Sequence, residues 1–249
     1  MSDKVGGKRP PAAALGELKF FEQSLFNKLL FPLIDNQSGA VKARLRGFDA
    51  LARLLVNQGA DTEVNDAAAN NAIATLNEIN TPAGLHRLEE TAPDLIISIR
   101  YGVILKREAI AIPKYGVLNL HSGLLPQYQG VMATFRALLN GDREIGSTLH
   151  YIVDSSIDTG PIIDQAKVQV DRQRSYLWHV LQLYPGGCEM IVNAVSRLAE
   201  KKQLSSRAQE RSGNYYSFPT KEELKEFERR GFKLFDVQEV LEFAMQYLN

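Results

Sequence analysis

The chain has 249 residues, 45% hydrophobic and 23% charged, and its 29 Lys and Arg balance 29 Asp and Glu. This is ordinary globular composition, long enough for one cored domain and an appendage, and it excludes a low-complexity chain. With no basic excess, nucleic acid is not expected as the main partner. A lone Cys188 excludes an internal disulfide framework and a cysteine zinc site, and we expect it as buried helix filler. No apolar run approaches the ~20 residues of a membrane span. The N-terminus lacks the apolar core of a signal peptide, so a cytoplasmic chain is expected.

Residues 1–15 are polar with Gly and Pro, and are expected to be poorly ordered. Leu18 to Ile34 and Phe48 to Asn57 have helical apolar spacing, and Ala72 to Asn77 reads as a short strand. Thr81-Pro82 supplies an N-cap and a first-turn proline for a helix to Glu90. His86 falls on its solvated face. Asp94 to Arg100 is apolar enough for a buried parallel strand. A short helix from Arg107 is stopped by Pro113.

Val117 and Leu118 then lead into Asn119-Leu120-His121, where the two-residue strand period puts Asn119 and His121 on one face. Gly123, Pro126 and Gly130 make a loop, and Val131 to Leu139 is a helix ended by Asn140-Gly141. Ser147 to Val153 and Gln165 to Val170 alternate as strands, His150 being a structural strand residue. Tyr176 to Leu198 is helical, with an interruption expected at Pro185-Gly186-Gly187; Trp178 packs and His179 faces solvent. After Lys201 the chain turns polar. Thr220 and Glu223 form a capping box, and Asp236 to Leu248 is a last amphipathic helix. Tyr215, Tyr216 and Phe218 either floor an acceptor site or pin the tail to the core.

Asn119-x-His121, Leu124-Leu125-Pro126, Gly130, Asn140-Gly141-Asp142 and Asp158-Thr159-Gly160 stand in this order over 119–160. The set resembles the folate-dependent formyltransferase superfamily, which includes methionyl-tRNA, glycinamide-ribonucleotide and sugar-amine N-formyltransferases. The likeness runs from about Pro93 to Lys201. Tyr151 to Ile157 is about one residue longer than the family pattern. The resemblance implies an α/β, Rossmann-like fold with a mostly parallel central sheet and a short helical tail. A formyltransferase-like domain would occupy 1–200 and an aromatic, helical extension 201–249. The family's opening strand has no strong counterpart: either Leu18 to Phe21 is a degenerate version of it, or the chain starts inside a longer gene.

The resemblance further implies that Asn119, His121 and Asp158 are catalytic. Tyr101, Gly102, Ile104, Leu105, Leu125, Pro126 and Ile157 would bind 10-formyltetrahydrofolate as co-substrate, with the main chain of Ile104 and Leu105 reading the pterin edge. The expected activity is one-carbon transfer to a small amine, an amino-sugar nucleotide or an amino-acid-like amine. Alternatives are a formyltetrahydrofolate hydrolase and a catalytically silent folate-binding or assembly protein. No metal is called for, and the resemblance admits a homodimer through the region after the core.

Overall fold

Strand β2 (Val117–His121) lies between β1 (Ile96–Ile99) and β4 (Glu144–Ile152), with β5 (Ile162–Gln169) outside β4. The computed structural model describes residues 12–18, 76–210 and 213–246. Contacts divide the chain into two units, residues 2–12 with 76–236, and residues 1, 13–75 and 237–249. The segments Leu18 to Ile34, Phe48 to Asn57 and Ala72 to Asn77 lie outside the described residues, apart from Leu18 at the end of a helical run over 13–18 and Leu76 and Asn77 at a turn. Of the stretch expected to be irregular, residues 13–15 belong to that helical run and 1–11 lie outside the described residues. In the same unit, Val237–Met245 forms the last helix, as its sequence period predicts.

Within the larger unit the fold is α/β as expected. The sheet order is β1-β2-β4-β5. The expected parallel pairing is present between β1 and β2, whereas β4 runs antiparallel to both β2 and β5. The sheet among the described residues is therefore mixed. Between β4 and β5 the reason is local: they are joined by a loop too short for a helical crossover, and only a hairpin closes over that distance.

Helix α1 (Pro82–Glu90) starts where Thr81 accepts the Gly84 N–H, and α2 (Arg107–Ile110) follows β1. Val117 packs on that side against Ile79, Leu105 and Ala109, with Leu85, Leu88 and Ile110 around them. Leu118, Leu120 and Leu149 point to the other face, where they meet Met190 and Ala194 of the long helix α4 (Tyr176–Ala199). Both faces of β2 are thus covered, which is why it reads as a continuous apolar run until Asn119. Each buried leucine contributes about 1.5–3 kcal/mol.

Helix α4 is unbroken through Pro185, against the expected interruption. The proline leaves one intrahelical acceptor, the Leu181 carbonyl, without its N–H. The two glycines that follow serve packing: a Cβ on Gly187 would stand 2.7 Å from Leu120 Cδ2. Cys188 is exposed on this helix, a correction to the buried filler expected. His179 is the reverse, fully buried, with Nδ1 on the Ser175 carbonyl at 2.7 Å and Nε2 accepting the Asp171 N–H at 3.2 Å. Exposed His86 does lie beside Glu90 at 3.5 Å.

The segment after α4 packs onto this same unit. Strand β6 (Asn214–Tyr216) pairs in parallel with β3 (Tyr128–Gly130), and α5 (Lys221–Arg229) carries the capping box between Thr220 and Glu223. Phe227 stacks near Phe135 of α3 (Ala133–Asn140), centroids 4.5 Å apart. Among the described residues no helix is long and apolar enough to cross a membrane.

Candidate active site

The side of β2 that buries Val117 turns polar at its carboxyl end. Asn119 and His121 project there, and the register places Asn119 beside His150 and His121 beside Thr148 of β4. A polar strand end opening into a loop is where open α/β sheets place ligands. The loop after His121 is tied down from β4 and β5. Thr148 Oγ1 donates to the Gly123 carbonyl at 2.7 Å and accepts the Leu125 N–H at 3.1 Å, and Gln165 Nε2 donates to the Leu125 carbonyl at 2.9 Å. The Leu125-Pro126 peptide is cis.

Asp158 arrives from the β4–β5 connection. Beyond β4 the chain runs through an exposed loop over 153–156 before Asp158 returns to β2. Its Oδ2 lies 3.4 Å from His121 Nδ1 and accepts the Gly130 N–H at 2.8 Å. Its Oδ1 lies 3.4 Å from Asn119 Nδ2 and 3.5 Å from His150 Nε2. Asn119, His121 and Asp158, 39 residues apart at the extremes, thus converge at one point. Burial alone would raise the Asp158 pKa. The neighbouring His121, the His150 contact and the Gly130 N–H outweigh it, and the carboxyl is held below the usual range. Asp158 is therefore a carboxylate at neutral pH, an acceptor of protons and hydrogen bonds.

The imidazole of His121 faces two acceptors, the Asp158 carboxylate and, through Nε2 at 2.7 Å, the Tyr128 carbonyl. Only a doubly protonated ring donates to both. His150 was read from sequence as a structural strand residue, and the geometry puts it in the site. Its Nδ1 donates to the Tyr151 carbonyl at 2.9 Å, so Nε2 accepts from Asn119 Nδ2 at 3.1 Å when the ring is neutral and donates toward Asp158 Oδ1 at 3.5 Å when it is protonated. That bond fixes the Asn119 amide and leaves its second N–H only a long contact, 3.4 Å, to Asp158. The signal was present in the alternation Thr148, His150, on the face of Asn119 and His121 once β4 neighbours β2.

Strand β3 supplies the remaining contacts. Gly130 has φ +94°, and a Cβ there would run into the Tyr216 carbonyl of β6, so the close approach that brings its N–H to Asp158 requires glycine. The Tyr128 hydroxyl donates to Asp142 Oδ2 at 2.7 Å and accepts from Asn140 Nδ2 at 3.1 Å; burial, then Asp142, push its pKa up to about 12. The Asn140-Gly141-Asp142 turn is thus the anchor of β3.

The positions expected at the folate divide. Leu105 and Leu125 are core residues. The Tyr101 hydroxyl donates to the Leu76 carbonyl, and the Ile104 carbonyl already accepts from Asn80 Nδ2 at 2.8 Å. Gly102, Pro126 and Ile157 are half-buried, and the Ile104 side chain is exposed. Of the tail aromatics, Tyr216 packs 6.0 Å from Tyr128 and Phe218 is buried, so both pin the tail, while Tyr215 reaches solvent.

A half-exposed amide donor, an imidazole and a buried carboxylate at one strand end form a set suited to acyl transfer to a nucleophile. The family model described as formyl transferase matches residues 37–177, more than half the chain. The methionyl-tRNA formyltransferase of Thermus thermophilus is 34% identical over 141 residues, covering 57% of this chain and 45% of that protein. That of Fusobacterium nucleatum is 32% identical over 127 residues, covering 51% and 40%. The chain spans less than half the length of these relatives. A sugar N-formyltransferase from a Shewanella species shares the fold, with TM-score 0.51 at 17% identity, over 63% of this chain and 66% of that one. The chain belongs to the formyl transferase family.

Proposed function

We propose that this chain is a 10-formyltetrahydrofolate-dependent N-formyltransferase that passes a formyl group to the amine of a small acceptor, an amino-sugar nucleotide or an amino-acid-like amine. The convergence of Asn119, His121 and Asp158 on one point carries this reading. Solved formyltransferases described with folinic acid and dTDP-3-aminofucose, and with tetrahydrofolate and a UDP-linked formamido sugar, point to the donor and to the acceptor class.

The site fits such a donor in one respect that can be tested: the Asn119 amide is held by His150 on one proton, and its other proton, in only a long 3.4 Å contact with Asp158, can be taken by a carbonyl oxygen. The folate supplies an activated formyl group. Asn119 donates to the formyl oxygen as negative charge builds there when the amine attacks. The amine must lose a proton, and the Asp158 carboxylate accepts it, directly or through water. The proton taken up by Asp158 returns to the departing nitrogen, and His121, held between Asp158 and the Tyr128 carbonyl, fixes the carboxylate for both transfers. Gly102, Ile104, Pro126 and Ile157 remain as side-chain or backbone contacts for the ring system, with Leu105 and Leu125 shaping the wall behind them.

An aminoacyl-tRNA acceptor is the second reading, favoured by the relatives named as methionyl-tRNA formyltransferases. The balance of 29 basic and 29 acidic residues weighs against it, since phosphate contacts supply most of the affinity for nucleic acid. Calorimetry with a stable 10-formylfolate analogue tests the donor, and a panel of amino-sugar nucleotides beside methionyl-tRNA tests the acceptor. Saturable folate binding by wild type and by Asn119→Ala, with transfer lost in the variant, is the expected result. A folded wild type that binds no folate would sink the proposal.

A further inference from the structure

Gln209 lies in the polar segment after α4, and nothing in its sequence surroundings marks it. Its side-chain amide nitrogen donates to two backbone oxygens of the Asp158 turn, the Asp158 carbonyl at 2.9 Å and the Gly160 carbonyl at 2.7 Å. Asp158 itself has φ +56°, a left-handed conformation uncommon outside glycine, though one that Asp tolerates better than most residues. The other end of the Gln209 amide, Oε1, is buried and has no hydrogen-bond partner among the described residues. A buried acceptor left unsatisfied opposes folding, so this amide is poorly explained by stability alone.

Holding the tail does not explain it either, because the tail has other fastenings. Arg207 exchanges both backbone hydrogen bonds with Ile162 at 2.8 Å, and its guanidinium reaches Gln165 Oε1 at 2.7 Å. Further on, β6 pairs with β3 and Arg136 pairs with Glu223.

We propose that Gln209 is a positioning residue of the active site, its two N–H groups clamping the left-handed turn so that the Asp158 carboxylate meets His121, Asn119 and the Gly130 N–H. This deepens the formyl-transfer reading, and its kinetic test rests on that reading. The clamp acts through Asp158 alone.

Gln209→Met keeps the length and volume of the side chain and removes both donors. Its kcat should fall on the order of 10- to 10²-fold, the cost of a small misplacement of a reacting group, with KM for both substrates nearly unchanged. A second readout needs no turnover: in a carboxyl-carbon NMR titration, Asp158 of the variant should titrate closer to the ordinary range than in wild type, with His121 and His150 still facing it. Gln209→Glu sets a carboxylate against the same two carbonyls, and protonation restores one donor, so its rate relative to wild type should recover as the pH falls. Arg197→Ala, which removes an exposed contact to the Gln203 carbonyl of the same segment and touches neither the turn nor the site loop, should match wild type in both measurements.

The proposal is overturned if Gln209→Met keeps wild-type kcat and an unchanged Asp158 titration, or if Arg197→Ala does equal damage. Should the wild type transfer no formyl group, the functional reading fails and the Asp158 titration alone decides the clamp. If Gln209→Met does not fold, the pH recovery of Gln209→Glu decides it.

Discussion

Replacing Glu223 by alanine tests how the segment after α4 is held against α3. Glu223 pairs with Arg136 of α3, whose guanidinium also donates to the Ser217 carbonyl at 3.0 Å and lies 5.0 Å over the Tyr216 ring. The Arg136 side chain is 7% exposed and Glu223 35% exposed. Removing one partner of a fully buried pair costs about 3–5 kcal/mol, and an exposed pair is worth ~1 kcal/mol or less. With one member buried and the other at the rim, the loss lies between them, about 2 kcal/mol. Glu223 Oε2 also accepts the Thr220 N–H at 2.7 Å in the capping box, which adds about 0.5–1 kcal/mol. Urea unfolding at neutral pH should therefore show Glu223→Ala about 3 kcal/mol less stable than wild type, and Glu223→Gln, which keeps the cap acceptor, closer to 2 kcal/mol, a loss of the charge alone.

Burial raises the Glu223 pKa, but the Arg136 hydrogen bond and charge and the Thr220 N–H lower it further, so its folded value lies below its unfolded one. Its stabilising contribution is complete above the unfolded value, about 4.3, and disappears as the pH falls through the folded value. The deficit of Glu223→Ala should accordingly shrink in acid. A deficit below about 0.5 kcal/mol at neutral pH, or a double-mutant cycle with Arg136→Met that shows no coupling, would refute the assignment.

Asn119→Ala should reduce formyl transfer by about 10²–10³-fold while folate binding by calorimetry persists, because the lost donor acts where charge develops. Asp158→Asn should destabilise the fold at neutral pH and lose that disadvantage as the pH drops through the depressed Asp158 pKa, since the stabilisation exists only for the ionised carboxylate; denaturant titrations at several pH values read this directly. Leu118→Ala, at a position with no solvent exposure under α4, should cost about 2–5 kcal/mol in the same assay and leave the ratio of rates on competing acceptors unchanged.

Much of the fold could be read from local signals. Thr81-Pro82, the apolar strand around Ile96 to Ile99, the stop at Asn140-Gly141 and the Thr220–Glu223 capping box all set their elements as the residue types dictate. Local rules failed where tertiary packing decided. Pro185-Gly186-Gly187 looks like a break, yet the helix continues because the glycines let it press on Leu120 and Ala166. His179 looks exposed and is buried because its two ring nitrogens find backbone partners at the start of α4. In the site, the order of Asn119, His121 and Asp158 is visible as a motif, whereas the places of His150 and Gln209 depend on strand pairing and on a contact 51 residues distant. Nor does any residue pattern say that the Tyr128 carbonyl would occupy His121 Nε2.

That carbonyl changes how the tail should be understood. Strand β3 is three residues long, too short to stand on its own ladder, and its partner is β6. From β3 come the Tyr128 carbonyl on His121 and the Gly130 N–H on Asp158. The same β6 positions Tyr216 under Arg136, and Arg136 is tied to the capping box of α5. Gln209 reaches Asp158 from the opposite side of its turn. Two of the three groups that define the site are thus set by backbone held from beyond residue 200, although all three side chains stand before residue 160. A change in the tail that weakens β3–β6 pairing would loosen the contact between His121 and Asp158, and it would do so without touching either side chain.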